Sequence, residues 1–297
     1  MSAQSDFVAS VKGLIAQSKS LTLDARKKVL EMLDAVRKEI VTRLAEIDPS
    51  SFSSAQLTVL KHQVDALFDQ FQANASNAIG AYESASFTLG SATVSTPLDA
   101  AGLDAAPLGA ISTSALKIAQ GYTADLITGL AKDSAAKVNA LIQRAFLGGQ
   151  QISDIIAQIG KALPGDKGFT GIFSAVGKKA TGIALNEILR VSSIATQARL
   201  EDAADQHEDL QKQWLHLSIA KVPRIGHIEA DGQVADVNEP FDVEGESLMY
   251  PRDPNGSPEN TINCHCLMKP YFAADTLKPT AKQKGLLEEL GITVSAA

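Results

Sequence analysis

The chain has 297 residues, is 45% hydrophobic but only 5% aromatic, and carries a net charge of −7 with a pI near 5.3. That composition supports a core of Leu, Ile, Val and Ala carried mainly on helices. It excludes a basic nucleic-acid-binding domain, and no run of about 18 uncharged apolar residues offers a membrane-spanning helix. The charge is uneven: residues 201–270 hold 14 Asp and Glu against 5 Lys and Arg, whereas residues 1–50 are nearly balanced. Any phosphate contact therefore belongs outside the C-terminal third. The start of the chain lacks the basic and apolar segments of a secretory leader, and the two cysteines are no disulfide framework, so folding in a reducing cytosol is expected.

A short helix is expected around residues 6–16. From Thr22 to Asp48, Val29, Leu30, Leu33, Val36, Ile40, Val41, Leu44 and Ile47 recur at steps of three and four, the mark of a helix with one apolar face. A long helix follows from about Ser54 with Leu57, Leu60, Val64, Leu67, Phe68 and Phe71. Residues 86–112 turn to Ser, Thr, Ala, Gly and Pro, which reads as a linker, set at 91–112. Helical spacing resumes from Leu116 to Phe146, breaks at Gly148-Gly149, and returns in a short helix over Ile152–Ile159 ended by Pro164-Gly165. The stretch Gly165-Asp-Lys-Gly-Phe-Thr-Gly171 matches no phosphate-loop spacing and reads as a plain loop. Residues 178–210 form one more long helix.

After Gln213 the pattern changes. Trp214, Leu215, Leu217 and Ile219 alternate as in a strand, and Pro and Gly punctuate everything from Pro223 to Pro258, so a small turn-rich β module is predicted. A last helix is expected from Thr280, where Thr280-x-x-Gln283 has the form of a capping box, to Gly291. The predicted fold class is α+β. Its parts are a helical N-terminal region (1–90), the linker (91–112), a helical middle (113–210), the β-rich module (211–275) and a C-terminal helix or tail (276–297).

The chemistry-bearing residues cluster in the β module. On a strand, positions two apart face the same side, so Cys264 and Cys266 can present two sulfurs together. His227 supplies a third ligand and Asp231 or water a fourth, a donor set suited to structural zinc. The plainer reading is that both cysteines are buried small hydrophobes and His227 is a hydrogen-bonded turn residue; a Cys264–Cys266 disulfide is a third reading. His227-Ile-Glu229 also has the H-x-E form of zinc deaminases, but those pair it with P-C-x-x-C, not C-x-C. No catalytic residue is assigned. Glu187 and Arg190, one helical turn apart, read as an intrahelical ion pair, with contact to a partner as the alternative, and His62, His207 and His216 as surface or partly packed residues. Trp214 reads as the anchor of the module's core.

One order of motifs in this region is distinctive. Trp214 leads to Arg224-Ile-Gly-His227-Ile-Glu-Ala-Asp231-Gly232, then Pro240-Phe241, Tyr250-Pro251-Arg-Asp253-Pro254 and Asn263-Cys264-His265-Cys266. This resembles the C-terminal signature of the phage Mu F-like head morphogenesis family, with Trp214, Arg224, Gly232 and Asp253 as its structural positions. Weaker likeness extends upstream through Leu147–Ile155 and Ala184–Arg190, so that residues 138–270 are covered. Here His265 stands where the family commonly has Arg, and Asn186 where it has Thr. The resemblance implies a minor head protein of the virion, made in the host cytoplasm and attached to the portal. It also implies support for head assembly and DNA handling, contact with the major capsid protein or transiently with packaged DNA, and no membrane partner. Leu33, Ile40, Leu44 and Phe68 are the expected anchors for docking on the portal. A zinc-dependent hydrolase and a DNA-binding ejection protein are the alternatives.

Overall fold

The computed structural model describes residues 3–48, 53–103, 111–217 and 224–273. Its elements are α1 (Ala3–Ala45), α2 (Ser54–Ala100), α3 (Ser114–Leu147), α4 (Ile152–Ile159), α5 (Gly171–Ala204), β1 (Gln211–Leu215), α6 (Ile225–Glu229), β2 (Val234–Asp236), β3 (Phe241–Val243), β4 (Glu246–Leu248), α7 (Pro258–Thr261) and β5 (Leu267–Tyr271). The α+β expectation holds. The helix expected from Thr280, residue Ile219 and the linker positions 104–110 lie outside the described residues.

Two compact units divide the chain: Met1–Leu21, Glu83–Leu116 and Leu189–Ala297 in one, Thr22–Tyr82 and Lys117–Ile188 in the other. This differs from the expected succession of segments, because α1, α2, α3 and α5 each contribute residues to both. The short helix at 6–16 is likewise no separate element but the first turns of α1.

In the unit of residues 22–82 and 117–188, the apolar stripes meet one another. Leu33, Ile40, Leu44, Val64, Ile79, Ile127, Val138, Ile142, Ile155 and Phe173 are fully buried. Phe68 stacks on Phe173 with ring centres 6.1 Å apart, and Phe169 meets Phe173 edge-on at 5.8 Å. This corrects the docking expectation: Leu33, Ile40, Leu44 and Phe68 are 0–1% exposed, so they satisfy the hydrophobic effect within the chain and offer no surface to the portal. α4 stops at Gly160 (φ 104°), earlier than Pro164-Gly165. The Gly165–Gly171 stretch lies in a short hairpin closed by Leu163 N–H to Gly168 O and Thr170 N–H to Lys161 O.

In the other unit, the stretch expected as a linker is helical through Ala100, with Pro97 in its last turn. Its small residues serve close packing. A Cβ on Gly90 would lie 2.3 Å from the carbonyl oxygen of Ser192 on α5, the Thr196 hydroxyl donates to Gly90 O at 3.0 Å, and Arg199 Nε donates to Ser91 Oγ at 3.0 Å. Tertiary contact thus overrides a composition that reads as loop. The same unit carries two antiparallel sheets, one in the order β2-β1-β5 and one a β3-β4 hairpin. Their inner faces give Trp214, Phe241, Val243, Leu248 and Met268 to a core shared with Phe7, Val11, Val94, Leu98 and Leu200.

Candidate metal centre

His227 lies in α6, a five-residue helix whose entry is fixed from outside. The N–H of Gly226 donates to Glu244 Oε1 at 3.0 Å, and Arg224 Nη2 reaches the carbonyl of Ile262 at 2.5 Å. A Cβ at position 226 would meet the Glu244 side chain at 1.9 Å, so Gly226 lets α6 close onto its anchor. The cysteines arrive from the opposite direction. Ser257 caps α7, its Oγ accepting from Asn260 N at 3.3 Å, and Pro258 occupies the first turn. Asn263 then adopts φ 56°, a left-handed conformation that Asn tolerates better than most residues. It turns the chain out of α7 and delivers Cys264 and Cys266 to the start of β5.

These segments bring three ligand atoms together. His227, Cys264 and Cys266, all buried, place theirs within 4.8 Å of one another. His227 Nδ1 is 3.4 Å from Cys266 Sγ and 3.6 Å from Cys264 Sγ. The other ring nitrogen, Nε2, faces Asn260 Oδ1 at 3.3 Å. Because Asn260 Nδ2 donates to Val243 O at 3.3 Å, the amide presents its oxygen to the ring. That assigns the proton to Nε2 and leaves the Nδ1 lone pair facing the sulfurs.

The expected fourth ligand is corrected. Asp231 is exposed and does not join the three; its Oδ1 accepts the backbone N–H of His216 at 2.7 Å. His216 itself stands against the cluster, its Nδ1 3.6 Å from Cys266 Sγ. Sequence reasoning read His216 as a surface or partly packed residue and not as a ligand; the strand register is what brings it to the cluster. β1 and β5 pair with Trp214 opposite Met268 and Leu215 opposite Leu267, and the same register continued by one residue sets His216 opposite Cys266.

Around the sulfurs the environment is polar but closed. Arg252, fully buried with φ 68°, donates to the carbonyl of Cys264 at 2.7 Å and to Ser193 Oγ at 2.8 Å. Asp253 holds the same turn by accepting from the N–H groups of Met249 and Asn255, at 2.8 and 2.9 Å. The two thiols are mutually dependent. The hydrogen bond from Cys266 holds Cys264 well below the ordinary thiol value, against burial and with help from the Arg252 guanidinium. The same bond, with burial, pushes Cys266 upward, opposed by Arg252 and the indole N–H of Trp214.

The other signature positions serve the frame. Trp214 is fully buried, edge-on to Phe241 at 5.3 Å and to His227 at 6.0 Å. Gly232 (φ 82°) docks the Asp231-Gly232 turn on β1 through its N–H to Trp214 O at 3.0 Å. Beneath the sheet lies a residue that composition did not flag: Lys212, with no exposed surface. Its Nζ donates to Met249 O at 2.8 Å and Gln197 Oε1 at 3.2 Å, and lies 5.1 Å from the Phe241 ring centre. Burial pulls its amine down to about 8.

Glu229 does not enter the site. It is exposed, and two helical positions put it about 200° around α6 from His227, so the H-x-E reading lacks its proton shuttle. His62 is exposed, and His207 is half-buried, edge-on to Phe272 at 6.3 Å.

Residues 136–269 match the family described as Phage Mu protein F like protein. Over these residues the chain is similar to Mu F-like phage proteins. It is similar to the uncharacterized protein YqbB of Bacillus subtilis (strain 168), 34% identical over 110 residues, which are 36% of this chain and 35% of that one. It is also similar to the NAD(+)–arginine ADP-ribosyltransferase EFV of Enterococcus faecalis (strain ATCC 700802 / V583), 37% identical over 89 residues, 30% of this chain and 18% of the relative. The chain thus spans about a third or less of the length of these relatives. No solved structure matches it. Among the described residues, no helix is long and apolar enough to cross a membrane.

Proposed function

We propose that this Mu F-like protein is a minor head protein that sits at the portal of the virion and supports head morphogenesis and the packaging or ejection of DNA. The observation that carries this reading is the family match over residues 136–269, which takes in α5, the β module as far as the first residues of β5, and every signature turn. The geometry agrees with a structural role. Arg224, Gly232, Arg252 and Asp253 make hydrogen bonds to the backbone or side chains of their own compact unit. In this reading the chain is not an enzyme; its partners are the portal and, secondarily, the major capsid protein and packaged DNA. The docking surface belongs to exposed residues, since the apolar stripes are consumed internally. Mass spectrometry of purified heads, with co-purification of the full chain and the portal oligomer, tests the proposal. A few copies per head and recovery with the portal are expected. Heads that lack the chain, or a chain that never co-purifies with the portal, would overturn it.

A further inference from the structure

We propose that His216, His227, Cys264 and Cys266 bind one zinc ion in a closed tetrahedral site that staples the β module together. Zinc bonds of about 2.3 Å to sulfur and 2.0–2.1 Å to nitrogen, opened to the tetrahedral angle, put the two donor types about 3.6 Å apart. The N–S separations here are 3.4, 3.6 and 3.6 Å. Each of these three separations matches a nitrogen-to-sulfur edge of a zinc tetrahedron.

Ordinary hydrogen bonding accounts for less of the arrangement. His227 Nδ1 has a single lone pair, and the Nε2 proton is committed to Asn260. One lone pair cannot accept well from two thiols, yet two sulfurs converge on it. A metal ion serves all the converging atoms at once, and the Asn260 contact is the outer partner that orients a ligating histidine. The charge also balances. Two thiolates, two neutral imidazoles and Zn²⁺ sum to zero, so the buried site carries no net charge. On binding, the thiol protons leave to solvent and no other bond changes.

His216 fills the fourth position in place of Asp231. The three buried atoms form the mutually close set, and His216 meets it at Cys266. Its half-buried ring can swing toward the other ligands while its backbone stays pinned by Asp231. Four protein ligands leave no open coordination position, and the three buried ligands are 1–3% exposed. The site is therefore structural: it joins the end of β1, α6 and the start of β5.

The test uses the full chain, purified without chelator under reducing conditions. Elemental analysis should give about one equivalent of zinc, and cobalt substitution should produce thiolate-to-metal charge transfer with tetrahedral d–d bands. Chelator should lower the melting temperature. Cys264→Ser should abolish the thiolate pair's spectrum, His216→Ala should weaken metal affinity by at least about tenfold, and His265→Ala should leave it unchanged. The cobalt titration of the unaltered protein stands even if a variant fails to fold. Reduced wild-type protein that takes up neither metal would overturn the site. His216→Ala with unchanged affinity would overturn its fourth ligand.

Discussion

Replacing Lys212 by Met tests how the module carries a buried charge. The unfolded amine holds its proton to about pH 10.5, whereas the folded one releases it at about 8. Between those values the unfolded state binds more protons, so stability rises with pH across this window. The shift corresponds to about 3 kcal/mol of charge-burial cost, fully present below pH 8 and removed by pH 10.5. The Met side chain keeps the apolar stem but forfeits the bonds to Met249 O and Gln197 Oε1, which offsets the relief by about 1–3 kcal/mol. At pH 7 Lys212→Met should therefore be as stable as the parent or up to about 2 kcal/mol more stable. The parent should gain on the variant by about 3 kcal/mol as pH rises from 8 to 10.5. Urea unfolding followed by fluorescence reads this unit directly, because Trp214 is the sole tryptophan and packs over the same Phe241 ring. Taking the difference between the two proteins cancels Tyr250, pushed up to about 12 by burial, and the cysteines, which titrate in both. A difference that stays flat between pH 8 and 10.5 would refute the reasoning.

Trp214→Ala should cost about 3–5 kcal/mol, measured by circular dichroism because the fluorophore is gone; a loss below about 0.5 kcal/mol would place the indole outside the core. Gly90→Ala should cost about 1–3 kcal/mol, because its Cβ would meet the Ser192 carbonyl. Gly121→Ala on α3, with nothing within 4 Å of the added carbon, should be neutral or stabilising by up to about 1 kcal/mol; equal effects at the two glycines would refute the close-packing account. Phe7, edge-on to Phe272 at 6.2 Å, should cost about 3 kcal/mol or more on truncation to Ala, and an unchanged Trp214 unfolding midpoint would show that α1 is dispensable to this core.

Periodic segments were the legible part. α3 and α4 lie where steps of three and four residues put them, because a repeated apolar face is a local property of the sequence. The 86–100 stretch was illegible for a physical reason: its Ser, Ala and Gly look like loop until Ser192, Thr196 and Arg199 are seen packed against Gly90 and Ser91. The docking stripe was misassigned for the converse reason, since periodicity shows that a face is apolar but not what covers it. In the site, His227, Cys264 and Cys266 were legible from residue type and alternation. Which of Asp231 and His216 stands beside Cys266 was not legible, because it depends on the β1–β5 register. Lys212 could not be found at all, since burial of a lysine is decided by the elements above and below it.

The matched residues 136–269 do not coincide with either compact unit: 136–188 fall in one and 189–269 in the other. The β module at the end of the match has short strands of three to five residues, too little to bury a core alone. Its inner face is completed by Phe7 and Val11 of α1, by Val94 and Leu98 at the end of α2 and by Ala101 just after it, all outside the match. Arg252 ties the Tyr250–Pro254 turn to Ser193 of α5 and to the cysteine segment at once. The signature turns thus specify the module's shape, while the helices before them supply much of its hydrophobic stabilisation. A fragment limited to the matched residues would lack Phe272 and would leave Trp214 and Met268 without part of their cover. The start of α1 and the end of α2 are for this reason structural partners of the Mu F-like segment.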